Sequence, residues 1–77
     1  MTRNIVVAEK PPLEGFPLIG KAISSAVETL STLGRVVVRY SGTEPLARVM
    51  IEGEDEAQIS ALADDIAAAI RECVPTP

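Results

Sequence analysis

Two β-branched runs stand five residues apart in the middle of this chain, and their closeness constrains what it can fold into. Arg35 to Tyr40 alternates about Val36 and Val38. Leu46 to Glu52 sets Ala47, Val49 and Ile51 on one face against Leu46, Arg48, Met50 and Glu52 on the other. Ser41 to Pro45 then joins the two as a hairpin, so the centre of the fold is an antiparallel pair.

The rest of the chain builds around that pair. Asn4 to Glu9, through Ile5-Val6-Val7-Ala8, reads as an earlier strand. Lys10 to Pro17 carries adjacent prolines and a glycine, which breaks regular structure and makes this a connector. Ile19, Ile23, Ala26, Val27, Leu30 and Leu33 recur with the period of an amphipathic helix, and Gly34 is placed as its C-cap. Ile59, Leu62, Ala63, Ile66, Ile70 and Cys73 form the stripe of a second helix. Asp55 with Gln58 resembles its capping box, Pro75 stops it, and the tail to Pro77 should fray. The order is β-α-β-β-α. Each helix has one apolar face, so both should cover the same side of a small antiparallel sheet, an α+β fold.

Size allows one domain, residues 1–77, near the lower edge of what folds alone. An apolar content of 47% is ample for a core and argues against disorder. A single cysteine, Cys73, excludes an internal disulfide; with no histidine, a metal site is not expected. Cys73 falls on the apolar stripe and reads as buried filler. The net charge of −4 disfavours nucleic acid and anionic membranes as partners. Cysteine usage, and an N-terminus without the layout of a signal peptide, fit a cytoplasmic location.

The chemistry concentrates in Arg39-Tyr40-Ser41-Gly42-Thr43-Glu44-Pro45. Arg39 offers a planar fork that matches phosphate oxygens two at a time. Ser41 and Thr43 each add a hydroxyl donor. Gly42 can take a positive φ and bring its N–H to an anion as a small backbone nest. Pro45 stiffens the exit. An ordinary hairpin loop uses the same Ser, Gly, Thr and Pro, so the motif alone leaves both readings open. The acids Glu52, Glu54, Asp55 and Glu56 lack the spacing of a calcium loop and read as a solvated helix start. Without histidine there is no Ser-His or Cys-His pair, and no catalytic residue is assigned.

The run Gly34-Arg35-Val36-Val37-Val38-Arg39-Tyr40-Ser41-Gly42-Thr43-Glu44-Pro45-Leu46-Ala47-Arg48-Val49-Met50-Ile51-Glu52-Gly53 resembles the C-terminal, fourth domain of the α-D-phosphohexomutases. The Ser-Gly-Thr-Glu-Pro core followed by Arg48-Val49-Met50-Ile51-Glu52-Gly53 is most similar to the phosphoglucosamine mutase branch. The resemblance implies a TATA-binding-protein-like α+β domain, belonging to an isomerase that interconverts glucosamine 6-phosphate and glucosamine 1-phosphate. It implies a phosphosugar substrate and three upstream domains as partners, with magnesium and a phosphoserine held in those domains. It implies no cofactor in this chain, which should be inactive by itself.

Carried over by position, Arg39, Ser41, Gly42 and Thr43 match a loop that grips the substrate phosphate not being transferred. Glu44 stands as a possible orienter of Arg39 or Arg48 through a salt bridge. Arg48 stands either as part of the phosphate site or, preferably, in a surface or inter-domain ion pair. Tyr40 receives no role. Within the family, a phosphomannomutase or phosphoglucomutase is the neighbouring reading. Outside it, a stand-alone α+β binding module such as an RNA-recognition domain would need strand aromatics and a basic face. The central strands offer valines, Met50 and Ile51 instead.

Overall fold

In the computed structural model, three strands and two helices follow the expected order. Strands β1 (Thr2–Val6), β2 (Arg35–Tyr40) and β3 (Leu46–Glu52) form one antiparallel sheet with β3 in the middle. Helix α1 (Pro17–Leu30) joins β1 to β2, and α2 (Glu56–Cys73) follows β3. The register pairs Val38 with Val49 and Val36 with Ile51 on one side of β3, and Ile5 with Ala47 on the other. This alignment puts Ile5, Val36, Val38, Ala47, Val49 and Ile51 on the face the helices cover. Ala47, Val49 and Ile51 are fully buried at its centre, with Ile19, Ala26 and Leu30 of α1 and Ile59, Ala63, Ile66 and Ile70 of α2. The opposite face of the sheet carries no helix. It presents Thr2, Asn4 and Val6 of β1, Arg35, Val37 and Arg39 of β2, and Leu46, Arg48, Met50 and Glu52 of β3.

Several local expectations need correction. β1 runs from Thr2 to Val6 rather than from Asn4 to Glu9, because Thr2 finds a partner in Met50 and the backbone of Met1 exchanges bonds with Ile51. The connector contains one turn of 3-10 helix at Leu13–Gly15, where Leu13 and Phe16 pack against the core. α1 stops at Leu30. Leu33 lies in a short 3-10 turn and is 66% exposed, and Val27 is 50% exposed, so neither belongs to the buried stripe.

Gly34 is not a left-handed C-cap. Its backbone is extended, and the positive φ falls on Ser31 instead, at 52°. Glycine is needed at 34 because a Cβ there would overlap the carbonyl oxygen of Glu52 on the neighbouring strand. Close approach to a backbone, rather than turn geometry, fixes the residue.

α2 begins as its acids suggest: the Asp55 carboxylate accepts the Gln58 N–H at 3.1 Å, the forward half of a capping box. Ala67 and Ala69 are buried beside the expected stripe, whereas Cys73 is half-buried at its end rather than core filler. The tail is anchored further than expected. Val74 is buried, and the Pro75 carbonyl accepts the Ala8 N–H at 2.8 Å; only Thr76 and Pro77 follow.

Candidate functional site

The hairpin loop is organised by one hydroxyl. Ser41 Oγ accepts the Glu44 N–H at 3.2 Å and, more loosely, the Thr43 N–H at 3.4 Å. Ser and Thr hydroxyls commonly stabilise turns this way, and such an oxygen still carries a proton to donate. The base of the loop closes through the Ser41 N–H on the Leu46 carbonyl at 2.8 Å. Its exit is set by the Leu46 N–H returning to the Glu44 carbonyl at 2.8 Å, a tight turn centred on Pro45, whose ring fixes φ for it. The Val7 N–H then binds the Pro45 carbonyl at 2.8 Å and moors the loop to the chain beyond β1.

One backbone donor of the loop is left over. Ser41, Thr43, Glu44 and Leu46 all spend their N–H groups inside the loop or its base, and Pro45 has none. Gly42 alone keeps a backbone N–H with no acceptor in the chain. It does so without the expected positive φ: no glycine in the chain has one, and a Cβ on Gly42 would meet nothing within 4 Å. The nest built on left-handed backbone is therefore absent. What replaces it is a single free N–H, left over where Ser41 bonds Leu46 and the next two N–H groups, of Thr43 and Glu44, bond the Ser41 hydroxyl.

Arg39, Tyr40, Ser41, Gly42 and Arg48 line a small polar cleft of about 270 Å³ beside this loop. Three of the four expected phosphate contacts thus share one concavity. Thr43 does not line it; it sits exposed at the tip. Arg48 enters instead, since the register places it directly opposite Arg39 on the open face. Like charges in that relation destabilise a sheet unless an anion lies between them.

No carboxylate in the chain neutralises the pair. The only ion pair joins Arg3 to Asp64 at 3.0 Å, on the helix side of the sheet. The salt bridge proposed for Glu44 is not formed, and that residue contributes backbone bonds to the loop. The surface ion pair preferred for Arg48 is not formed either. Its Nε lies 3.4 Å from Asn4 Oδ1, the side chain opposite it on β1. The acid in register on the open face, Glu52, stands two rows away across from Arg35.

One further side chain, Lys10, reaches the loop from the connector without any signal in the sequence, and Tyr40 at the end of β2 reaches back to that connector. Lys10 Nζ donates to the Ser41 carbonyl at 2.7 Å, and the Tyr40 hydroxyl donates to the Pro11 carbonyl. Burial, and then the negative charge of Glu14, raise the Tyr40 phenol above its ordinary value of 10.0, so it remains a donor. Only the folding of residues 10–12 over the edge of β2 brings these groups together. No set of three His, Cys, Asp or Glu side chains converges on a point where a metal could be held. No helix is long and apolar enough to cross a membrane.

Comparison with known proteins agrees with the motif. The phosphoglucomutase/phosphomannomutase C-terminal domain matches residues 3–69. The chain belongs to that family. It is also 51% identical over 94% of its length to a phosphoglucosamine mutase of Koribacter versatilis. It is 51% identical over 87% to one of Myxococcus xanthus, and 47% identical over 83% to one of Syntrophotalea carbinolica. These matches cover 16%, 15% and 14% of the respective relatives, so the chain spans about one sixth of their length. As a member of this family it resembles one domain of an isomerase and not the whole enzyme.

Proposed function

We propose that this chain is the substrate-phosphate-binding domain of a phosphoglucosamine mutase. The observation that carries the reading is the Arg39–Arg48 pair: two guanidinium groups in register, without a carboxylate, beside a loop with one free N–H. Such an arrangement is complementary to a compact dianion. Arg39 supplies a two-pronged contact and Arg48 a second positive charge. The Gly42 N–H and the Ser41 hydroxyl add directed hydrogen bonds, and Thr43 can close from the tip. The cleft is lined by no histidine or carboxylate that could act as a general base, and the contribution read for it is orientation. Binding energy from a phosphate that does not react positions the reacting end of the sugar. Magnesium and the phosphorylated serine belong to the other domains of such an enzyme. The names of the relatives favour glucosamine phosphates over mannose or glucose phosphates.

The test is an NMR titration of the chain with inorganic phosphate and with glucosamine 6-phosphate. One loop without facing domains buries little of a ligand, so millimolar affinity, about −4 kcal/mol, is expected. The amides of Ser41, Gly42 and Thr43 should shift most. Shifts centred on Asp55, or none at all, would remove the phosphate assignment.

A further inference from the structure

The contact between Lys10 and the loop does more than tether it. A trans peptide unit holds its C=O and N–H pointing in opposite directions. The Lys10 ammonium fixes the Ser41 carbonyl toward the connector at 2.7 Å. The same peptide plane must then aim the Gly42 N–H away from the connector. That N–H is the loop donor without a partner, and Gly42 lines the cleft with Arg39 and Arg48.

We propose that Lys10 is a positioning residue of the anion site: by binding the Ser41 carbonyl it orients the Gly42 N–H toward the bound phosphate. Tyr40 holds Lys10 in reach from below. Its ring packs against the core, and its hydroxyl binds the carbonyl of Pro11, the residue after Lys10. The connector at Lys10–Pro12 and the loop at Ser41–Gly42 therefore act as one unit, although thirty residues of chain separate them. Lys10 lies outside the cleft lining, and its effect passes through the peptide group. A charge-assisted bond to the carbonyl also polarises that peptide and strengthens the N–H as a donor. The proposal rests on the phosphate-binding reading of the loop.

The experiment compares wild type with Lys10→Met, Lys10→Arg and Tyr40→Phe by NMR titration with inorganic phosphate and by amide hydrogen exchange without ligand. Lys10→Met should weaken phosphate binding about fivefold and shrink the ligand-induced shift of the Gly42 amide more than that of any other. Lys10→Arg, which keeps donor and charge, should restore most of both. Tyr40→Phe should loosen binding about twofold and speed exchange at Ser41, whose bond to Leu46 closes the loop.

Raising the salt separates positioning from plain attraction, since a remote exposed charge is screened and a bonded peptide orientation is not. The ratio of Lys10→Met to wild-type Kd should persist at high salt. A ratio that falls to one, or an unchanged Gly42 response in Lys10→Met, overturns the role given to Lys10. Absence of phosphate binding by wild type instead overturns the site itself, and the proposal with it. A thermal melt of each variant guards against misfolding: a Lys10→Met chain that melts as wild type yet binds weakly supports positioning.

Discussion

Arg39 and Arg48 sit directly opposite each other on the open face of the sheet, and neither is neutralised by a carboxylate. A fold selected for stability alone would place an acid at one of these positions, as a cross-strand ion pair is favourable and a like pair is not. The pairing explains why the chain can be acidic overall yet offer a basic site. Most of its acids lie in the connector, at helix starts and on the helices; Glu52 stands two rows off on the open face, and Glu44 in the loop pairs with neither arginine.

Arg39→Gln should therefore move stability and binding in opposite directions. Removing one member of a like-charge pair should raise unfolding free energy by about 0.2–1 kcal/mol in low salt. Losing a charge-assisted fork should weaken phosphate binding by roughly 1.5–3 kcal/mol, about ten- to a hundredfold. Arg39→Lys should recover only part of the affinity, because a point charge cannot reproduce the planar fork. Chemical denaturation beside a phosphate titration reads both effects. A variant that binds as wild type would detach this residue from the site.

Ser41→Ala should disturb the loop more than its exposure suggests. The hydroxyl accepts two backbone N–H groups that have no other acceptor in the chain. Because water can replace it at this surface, stability should fall by no more than about 1 kcal/mol. The loop should nonetheless become more mobile on the nanosecond scale, and phosphate affinity should drop. Unchanged amide relaxation at Thr43 and Glu44 would show that the hydroxyl does not organise the turn.

Ser31 and Gly34 make opposed predictions three positions apart on the chain. Ser31 holds a positive φ of 52° with ψ near −126°, a conformation that side-chain-bearing residues adopt at a cost. Ser31→Gly should raise stability by about 1 kcal/mol, the relief exceeding the extra entropy of an unfolded glycine. Gly34→Ala should lower it by roughly 2 kcal/mol or more, because the new methyl group overlaps the Glu52 carbonyl and must push β2 from β3. Thermal melts of the two variants should bracket the wild type. The reverse order would contradict the backbone described for this turn.

Tyr40 should titrate above the ordinary phenol range, raised first by burial and then by Glu14. The folded state keeps the proton more tightly than the unfolded chain. The resulting stability is fully present below pH 10.0 and is lost as pH rises through the folded value. With no tryptophan and a single tyrosine, the near-ultraviolet absorbance of phenolate follows this group alone. The native midpoint should lie above that in denaturant, and Glu14→Gln should bring it part of the way down. A native midpoint at or below the denatured one would mean that Tyr40 is not held by the connector.

Strand order along the chain, the period-two faces of β2 and β3, the hairpin, both helices and the cap at Asp55 could all be read from local pattern. Each depends on residues within one or two turns of one another, where side-chain alternation and propensity act directly. Arg39, Ser41 and Gly42 were legible for the same reason, since one short loop must keep them together. What local pattern misplaced depended on distant backbone. Gly34 is glycine because of Glu52, Val74 is buried where Pro75 meets Ala8, and Gly42 keeps a free N–H without positive φ while Thr43 and Glu44 bond the Ser41 hydroxyl. The pairing of Arg39 with Arg48 required the strand register, and the pull of Lys10 on Ser41 required the connector to fold across the edge of β2. Local pattern along the chain settles which elements form and which loop holds the proposed phosphate donors. How those donors are aimed is set by contacts between residues far apart in the chain, which no short-range pattern encodes.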